Sequence, residues 1–263
     1  MNVEVLTGLV SAGVAVCSVG VTAYMSTRSI RLQDALTVQR TRLERLEAKE
    51  DLTRRYREPL LLAAFHLQGR IYNIVNNNFF PRHMGADPDE RHYARASTLY
   101  RVGDYFAWIE VLRRDLQFLD LGEERKTSEL VDCLDLVSHS FANTEWFPVS
   151  VFRLFRDEQR GLGEVMIEPV TGESRRYQCI GYATFVDRLE QDPGFARWFS
   201  RLSAEIDQLA HPAPGQLDRL IEVQHALIKV INFLDPDGKR FPAAHTKPLT
   251  QPRLAPASEA RRE

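Results

Sequence analysis

Three arginines are the side chains best placed to do chemistry. Arg153, Arg156 and Arg160 recur at helical spacing in SVFRLFRDEQR, residues 150–160. Residues three and four apart are neighbours on a helix, so the three guanidinium groups can share a face. Each offers a planar fork of N–H donors that matches phosphate and carboxylate oxygens. The spacing makes them an anion-binding candidate, for a phosphate, an acidic peptide or a lipid headgroup. Arg175 and Arg176 can add charge from the loop that follows. Glu158 and Glu164 lie close by in sequence, and internal ion pairs are the competing reading.

No other cluster defines a reaction. The seven histidines fit no zinc spacing. His83 and His92 flank Asp87, Asp89 and Glu90, a stretch that reads as a solvated loop. Asp235-Pro236-Asp237-Gly238 begins like a calcium loop, but Lys239, Arg240, Phe241 and Thr246 stand where oxygen ligands are needed. It reads instead as a turn that ends a helix. Gly161-Leu162-Gly163 lacks the third glycine of a dinucleotide loop and follows a helix, so it is expected to break that helix. The catalytic residues are unknown from sequence, and no metal or cofactor is expected. Cys17, Cys133 and Cys179 form no CxxC pair and read as reduced thiols. With 34 basic and 36 acidic residues, a net charge of −2 gives no general attraction to nucleic acid, which is not expected as a partner. Aromatic residues such as Tyr100, Trp108, Trp198 and Phe199 fall on helical stripes and read as core.

These groups need a scaffold, and its first part is an anchor. Residues 5–27, VLTGLVSAGVAVCSVGVTAYMST, carry no charge. At about 1.5 Å of rise per residue, the stretch spans a hydrocarbon core of about 30 Å. The preceding MNVE has no Lys or Arg, which disfavours a cleaved signal. Arg28, Arg31, Arg40 and Arg42 follow the span, so the positive-inside bias places the N-terminus outside and the C-terminus in the cytoplasm. The expected location is the inner membrane face, with lipid as a partner. Gly8 with Ala12, and Ser11 with Ala15, have the small-xxx-small spacing of a membrane dimer contact.

Residues 28–57 form an expected juxtamembrane helical stalk. Leu32, Leu36, Leu43 and Leu46 fit one heptad frame with Gln39 at the intervening core position. That leaves a short coiled coil and a single charged helix both open. Residues 58–240 form the expected helical domain. The run 60–75 is apolar enough for a central helix, and 91–120 is the clearest amphipathic stripe. Further helices are expected at about 127–144, 183–191, 193–209 and 217–234, with Asp192-Pro193 ending one helix and capping the next. Glu164–Glu168 and Tyr177–Tyr182 read as strands of a β hairpin near 164–182. Residues 241–263 are rich in proline and polar side chains and are expected to be disordered.

The runs YREPLLLAAFHLQGRIYNIV (56–75), FRLFRDEQRGLGEVMI (152–167), IGYATFVDRLE (180–190) and NFLDPDG (232–238) resemble an uncharacterised bacterial family of single-pass membrane-anchored proteins. The resemblance implies a helical cytoplasmic domain and transfers no activity or site residues. The expected fold is mainly α: an N-terminal transmembrane helix, a charged juxtamembrane helix, and a helical bundle with a small β hairpin insert. The expected function is that of a membrane-tethered interaction or scaffold protein, with an unidentified protein partner and a homodimer in view. The alternative is an enzyme acting on a phosphorylated or lipid substrate at the inner membrane face.

Overall fold

The computed structural model describes residues 37, 39, 55–85, 87–116, 124–145, 149, 151–172 and 176–250. The expected span 5–27, its dimer residues Gly8, Ser11, Ala12 and Ala15, nearly all of the stalk, and residues 251–263 lie outside the described residues. No helix among the described residues is long and apolar enough to cross a membrane.

The described body is mainly helical. It begins with α1 (55–76), followed by α2 (Phe79–His83), α3 (Pro88–Leu116), α4 (Glu124–Ala142) and α5 (Arg156–Val165). A hairpin of β1 (Ile167–Pro169) and β2 (Tyr177–Cys179) comes next, then α6 (Tyr182–Gln191), α7 (Pro193–Ala196), α8 (Ser200–Gln208), α9 (Asp218–Leu234) and a 3-10 turn, Ala243–His245. The hairpin is antiparallel, pairing Ile167 with Cys179 and Pro169 with Tyr177. It is shorter than its sequence pattern suggests. Glu164 and Val165 still belong to α5, and Tyr182 already belongs to α6.

The helix starts follow local chemistry. Asp87 accepts hydrogen bonds from the backbone N–H groups of Asp89 and Glu90 at the start of α3, at 2.9 and 3.4 Å. Asp192 does the same for Gly194 and Phe195 at 2.8 and 3.1 Å, so Asp192-Pro193 does end α6 and cap α7.

α3 packs against α2, α5, α6, α8 and β2. Its apolar stripe includes Leu99, Val102, Phe106 and Leu112, all buried. The opposite face is not left to solvent: no residue from 94 to 112 is exposed. Polar side chains on a helix covered this widely gain from partners inside the protein. Glu110 shows how, for it is 2% exposed and lies 2.7 Å from both Arg113 and Arg114. Burial alone would raise its pKa, but the arginine hydrogen bonds outweigh burial and hold it below the ordinary value.

The Gly161-Leu162-Gly163 run does not break α5, which continues to Val165. Its glycines serve close packing. A Cβ on Gly161 would fall 2.2 Å from the Trp198 ring. A Cβ on Gly163 would fall 2.5 Å from the Phe106 carbonyl oxygen of α3. α5 thus lies on α3 backbone to backbone, which brings the hairpin that follows α5 against the same helix.

The sequence expects disorder from residue 241, yet residues 241–250 are described and pack as a strap along α1 and α9. The buried Gln224 donates to the Lys247 carbonyl at 2.9 Å and accepts from the Leu249 N–H at 3.1 Å. Gln68 donates to the His245 carbonyl at 3.1 Å, and His225 Nε2 donates to the Leu249 carbonyl at 2.7 Å. Leu249 is 6% exposed. The composition of the strap is that of a loop, but its backbone groups find partners on two helices.

The close approach of α5 to α3 gives a paired test. Gly163→Ala is expected to cost about 1–3 kcal/mol through overpacking against rigid backbone. Gly69→Ala meets nothing within 4 Å in mid-helix and is expected to gain up to about 1 kcal/mol. Thermal unfolding of the full chain in detergent should lower the midpoint for the first and raise it for the second; equal midpoints for Gly163→Ala and wild type would contradict the packing.

Candidate functional site

The arginines do not form the helical face their spacing suggests. α5 begins at Arg156, and Arg153 precedes it in a non-helical segment. Phe155, the residue before α5, has φ −66° and ψ 158°, and Phe152 has φ 62°. Tertiary partners hold this segment out of the helix. The Val151 N–H donates to the Gln216 carbonyl at 3.0 Å and the Leu154 N–H to the Phe141 carbonyl at 3.1 Å. The Phe152 N–H donates to the Glu205 carboxylate at 2.5 Å. Val151, Phe152 and Leu154 are buried, which leaves Arg153 exposed with its guanidinium 5.2 Å from the Phe155 ring centre.

Arg156 and Arg160 each face a carboxylate. Arg156 lies 2.5 Å from Asp135, and Arg160 lies 2.9 Å from Glu164 one turn on. The histidines flagged with the acidic loop are also paired as single contacts, His83 with Glu90 and His92 with Glu190, both at 3.5 Å. No cluster of metal-ligating side chains occurs among the described residues. At the expected calcium-like turn, the Asp235 carboxylate accepts from the backbone N–H groups of Lys239, Arg240 and Phe241, at 3.1, 2.9 and 2.9 Å. It is a helix C-terminal turn, built around one side chain.

The site the fold does assemble is elsewhere. An open cleft of about 730 Å³ is lined from α1, α3, β2 and the start of the strap. α1 supplies Glu58, Pro59, Leu61, Leu62, Ala63 and His66. α3 supplies Tyr100, Asp104 and Trp108, at i, i+4 and i+8 on one face. β2 contributes Cys179, and the strap closes the wall with Arg240 and Phe241.

Each wall has a structural cause. The Tyr100 hydroxyl donates to the Ile180 carbonyl at 3.2 Å, fixing the end of β2 on α3. Phe241 stacks on Phe65 of α1 with ring centres 3.7 Å apart and planes 7° from parallel. Arg240 pairs with Glu58 at 3.0 Å across the rim. The Asp235 turn sets both strap residues in place.

The electrostatics of the cleft are those of a half-buried polar pocket. Burial raises the Asp104 carboxyl above its ordinary value, against hydrogen bonds from Cys179 and Trp108 and the charge of Arg101. Burial pushes the Cys179 thiol up strongly, and the neighbouring Asp104 adds to the effect. Tyr100 is raised by burial first, then by Cys179 and Asp104. His66 is lowered by burial and by the nearby Arg101 charge. At neutral pH the thiol and the phenol therefore keep their protons and the imidazole is uncharged. A thiol nucleophile needs its thiolate, so this arrangement favours hydrogen bonding and ring contact over attack by Cys179.

Sequence reasoning missed this site. Tyr100 and Trp108 were assigned to the core, and Asp104 was not singled out. The available signal was Asp104 one turn from each aromatic, inside a stripe too apolar for a surface helix. Comparison with family models, curated proteins and solved structures gave no match. No residue role therefore comes to this chain from a relative.

The Asp235 turn makes the strap wall pH-dependent. Hydrogen bonds from the Phe241 N–H first, then from Arg240 and Lys239, hold the Asp235 carboxyl below its ordinary value. Because the folded-state value is the lower one, its stabilisation is complete above about pH 4 and fades as pH falls through that folded value. Protection of the amides of residues 239–241, measured against their intrinsic exchange rates, should fall on acidification below about pH 4, and Asp235→Ala should show the lower protection already at pH 7. Equal exchange in wild type and variant across this range would dismiss the carboxylate as the organiser of the turn.

Proposed function

We propose that the chain is a membrane-tethered interaction or scaffold protein whose cytoplasmic body receives a protein partner in the α1–α3 cleft. Residues 5–27 act as the transmembrane helix, with the N-terminus outside and 28–57 as the stalk. Gly8, Ser11, Ala12 and Ala15 bring two copies together in the membrane. The anchor rests on the length, the absence of charge and the arginine-rich C-terminal flank of that stretch.

What carries the interaction reading is the cleft. Its volume lies within the range of specific ligand sites, which is about 300–1,000 Å³, and its aromatic and aliphatic walls are interrupted by a few placed polar groups. Leu62, 45% exposed at this cleft, gives an incoming chain apolar surface to cover. The enzyme alternative draws less support. Arg156 and Arg160 are engaged by Asp135 and Glu164, and the lining of the cleft includes none of the three candidate arginines.

Two measurements test the reading. The full chain should resist alkaline carbonate extraction from membranes, and deletion of residues 1–27 should release it; extraction of the intact chain would remove the anchor. A photo-crosslinking amino acid at Leu62 should then capture one defined protein in native membranes, with capture reduced at least fivefold by Trp108→Ala. Capture unaffected by that change would move the partner surface away from the cleft.

A further inference from the structure

Resting on the cleft as a binding site, the charge balance of its walls points to what binds there. We infer that the cleft takes a cationic nitrogen on an apolar stem, an ammonium or guanidinium group seated against Asp104 between Tyr100, Trp108 and Phe241.

The argument begins with which charges in and around the cleft are already committed. Arg240 is 3.0 Å from Glu58, so these two rim charges answer each other. Arg101, next to the cleft on α3, donates Nη1 to the His66 carbonyl at 2.8 Å. Asp104 differs from both. Its polar neighbours are the Cys179 thiol and the Trp108 indole, both neutral, and no Lys or Arg among the described residues forms an ion pair with it. Arg101 affects it only as the weakest of the named influences. A half-buried carboxyl without an ionic partner, on the wall of an open cleft, is a site a ligand cation can complete.

The remaining walls suit the same group. Tyr100, Trp108 and Phe241 line the cleft, and indole, phenol and phenyl rings attract a desolvated cation. Pro59, Leu61, Leu62 and Ala63 provide apolar surface for a stem. An anion is poorly served, because it would lie against Asp104 and Glu58 while the rim arginine is engaged. A neutral apolar group would fill the walls but leave Asp104 unanswered.

Protonation has a defined direction. The titratable and charged groups around Asp104 are Tyr100 and Arg101 from α3, Glu58 and His66 from α1, Cys179 from β2, and Arg240 from the strap. Raising the pH deprotonates Asp104 and discharges any protonated His66, and both changes favour a cation. Preference for the cation therefore rises with pH.

The test uses the full chain in detergent micelles with 5-fluorotryptophan, its Trp108 fluorine resonance assigned by Trp108→Phe. Phenethylamine and its neutral counterpart 2-phenylethanol are one pair of probes. Acetyl-Leu-Lys-Leu-amide and the same peptide with norleucine for lysine are the other. The expected result is a saturable shift of the Trp108 resonance by the cationic member of a pair at a concentration at least tenfold lower than the neutral one. Asp104→Asn should abolish that preference while leaving the Trp198 resonance in place as a check on folding. A stronger response to the peptide identifies a partner's basic side chain as the source, and a stronger response to the amine identifies a small molecule; either outcome supports the cation site. Equal response to charged and neutral probes, unchanged in Asp104→Asn, would overturn the cation assignment yet leave the cleft as a binding site. No shift of Trp108 with any probe would reject both.

Discussion

The body depends on a buried arginine. Arg219 lies in the first turn of α9 and is 0% exposed. Its Nη1 donates to the carbonyls of Ser140, Phe141 and Asn143, at 3.1, 3.0 and 2.6 Å, around the C-terminal end of α4. The last carbonyls of a helix have no partner within it, and a cation there also meets the negative end of the helix dipole. Burial lowers the Arg219 value to about 10, with Arg153 and Arg201 adding repulsion and Glu205 opposing it, so the group stays charged at neutral pH. Desolvating one ion costs several kcal/mol. Hydrogen bonds to a charged group return about 1.5–3 kcal/mol each, and the two N–H groups of Nη1, shared among three carbonyls, offset part of that cost. Because Nη1 meets three carbonyls at the end of α4, it ties the start of α9 to that end.

The same junction explains why residues 151–155 are not helical. Phe141, whose carbonyl receives Arg219, also receives the Leu154 N–H, and Glu205 near Arg219 receives the Phe152 N–H. Two backbone donors that a helix would have used are taken by the tertiary structure. The helical spacing of Arg153, Arg156 and Arg160 was real in the sequence, but spacing has meaning only where the chain is helical. Here the cost of leaving buried backbone groups unpaired outranks local helix preference.

Elements with strong apolar periods were legible, and contacts between elements were not. The runs that became α1, α4 and α9 show their buried faces directly in Leu60, Leu67 and Ile71, in Leu130, Val137 and Phe141, and in Leu227 and Ile231. The Asp192-Pro193 cap was legible because its donors lie two and three residues away. Gly161 and Gly163 were misread as breakers, since their purpose is to admit Trp198 and the backbone of α3, partners distant in sequence. The strap was hidden for a related reason. Its prolines suggest disorder, while the groups that order it, Gln68 and Gln224, sit 156 positions apart and meet at 3.3 Å. Two polar residues on otherwise apolar helix faces were the trace it left.

The cleft follows from these same long-range constraints. Its α3 wall is polar at Asp104, a half-buried residue beside Cys179 and Trp108 on a helix that its neighbours cover along most of its length. Its β2 wall is in place because α5 can approach α3 closely at Gly163. Its third wall exists because one carboxylate, Asp235, gathers three successive N–H groups and turns the chain after α9 back toward α1. The walls are thus held by separate interactions, several of them made by residues that also face the cleft. Leu62, 45% exposed, is free in this sense to change with the ligand. Asp104 and Tyr100 are not, because they both face the cleft and hold β2 to α3. A binding site whose polar anchor is also a fold contact keeps its chemistry fixed while its rim varies, and this places the selectivity for charge in Asp104 and the selectivity for shape around Leu62 and Phe241.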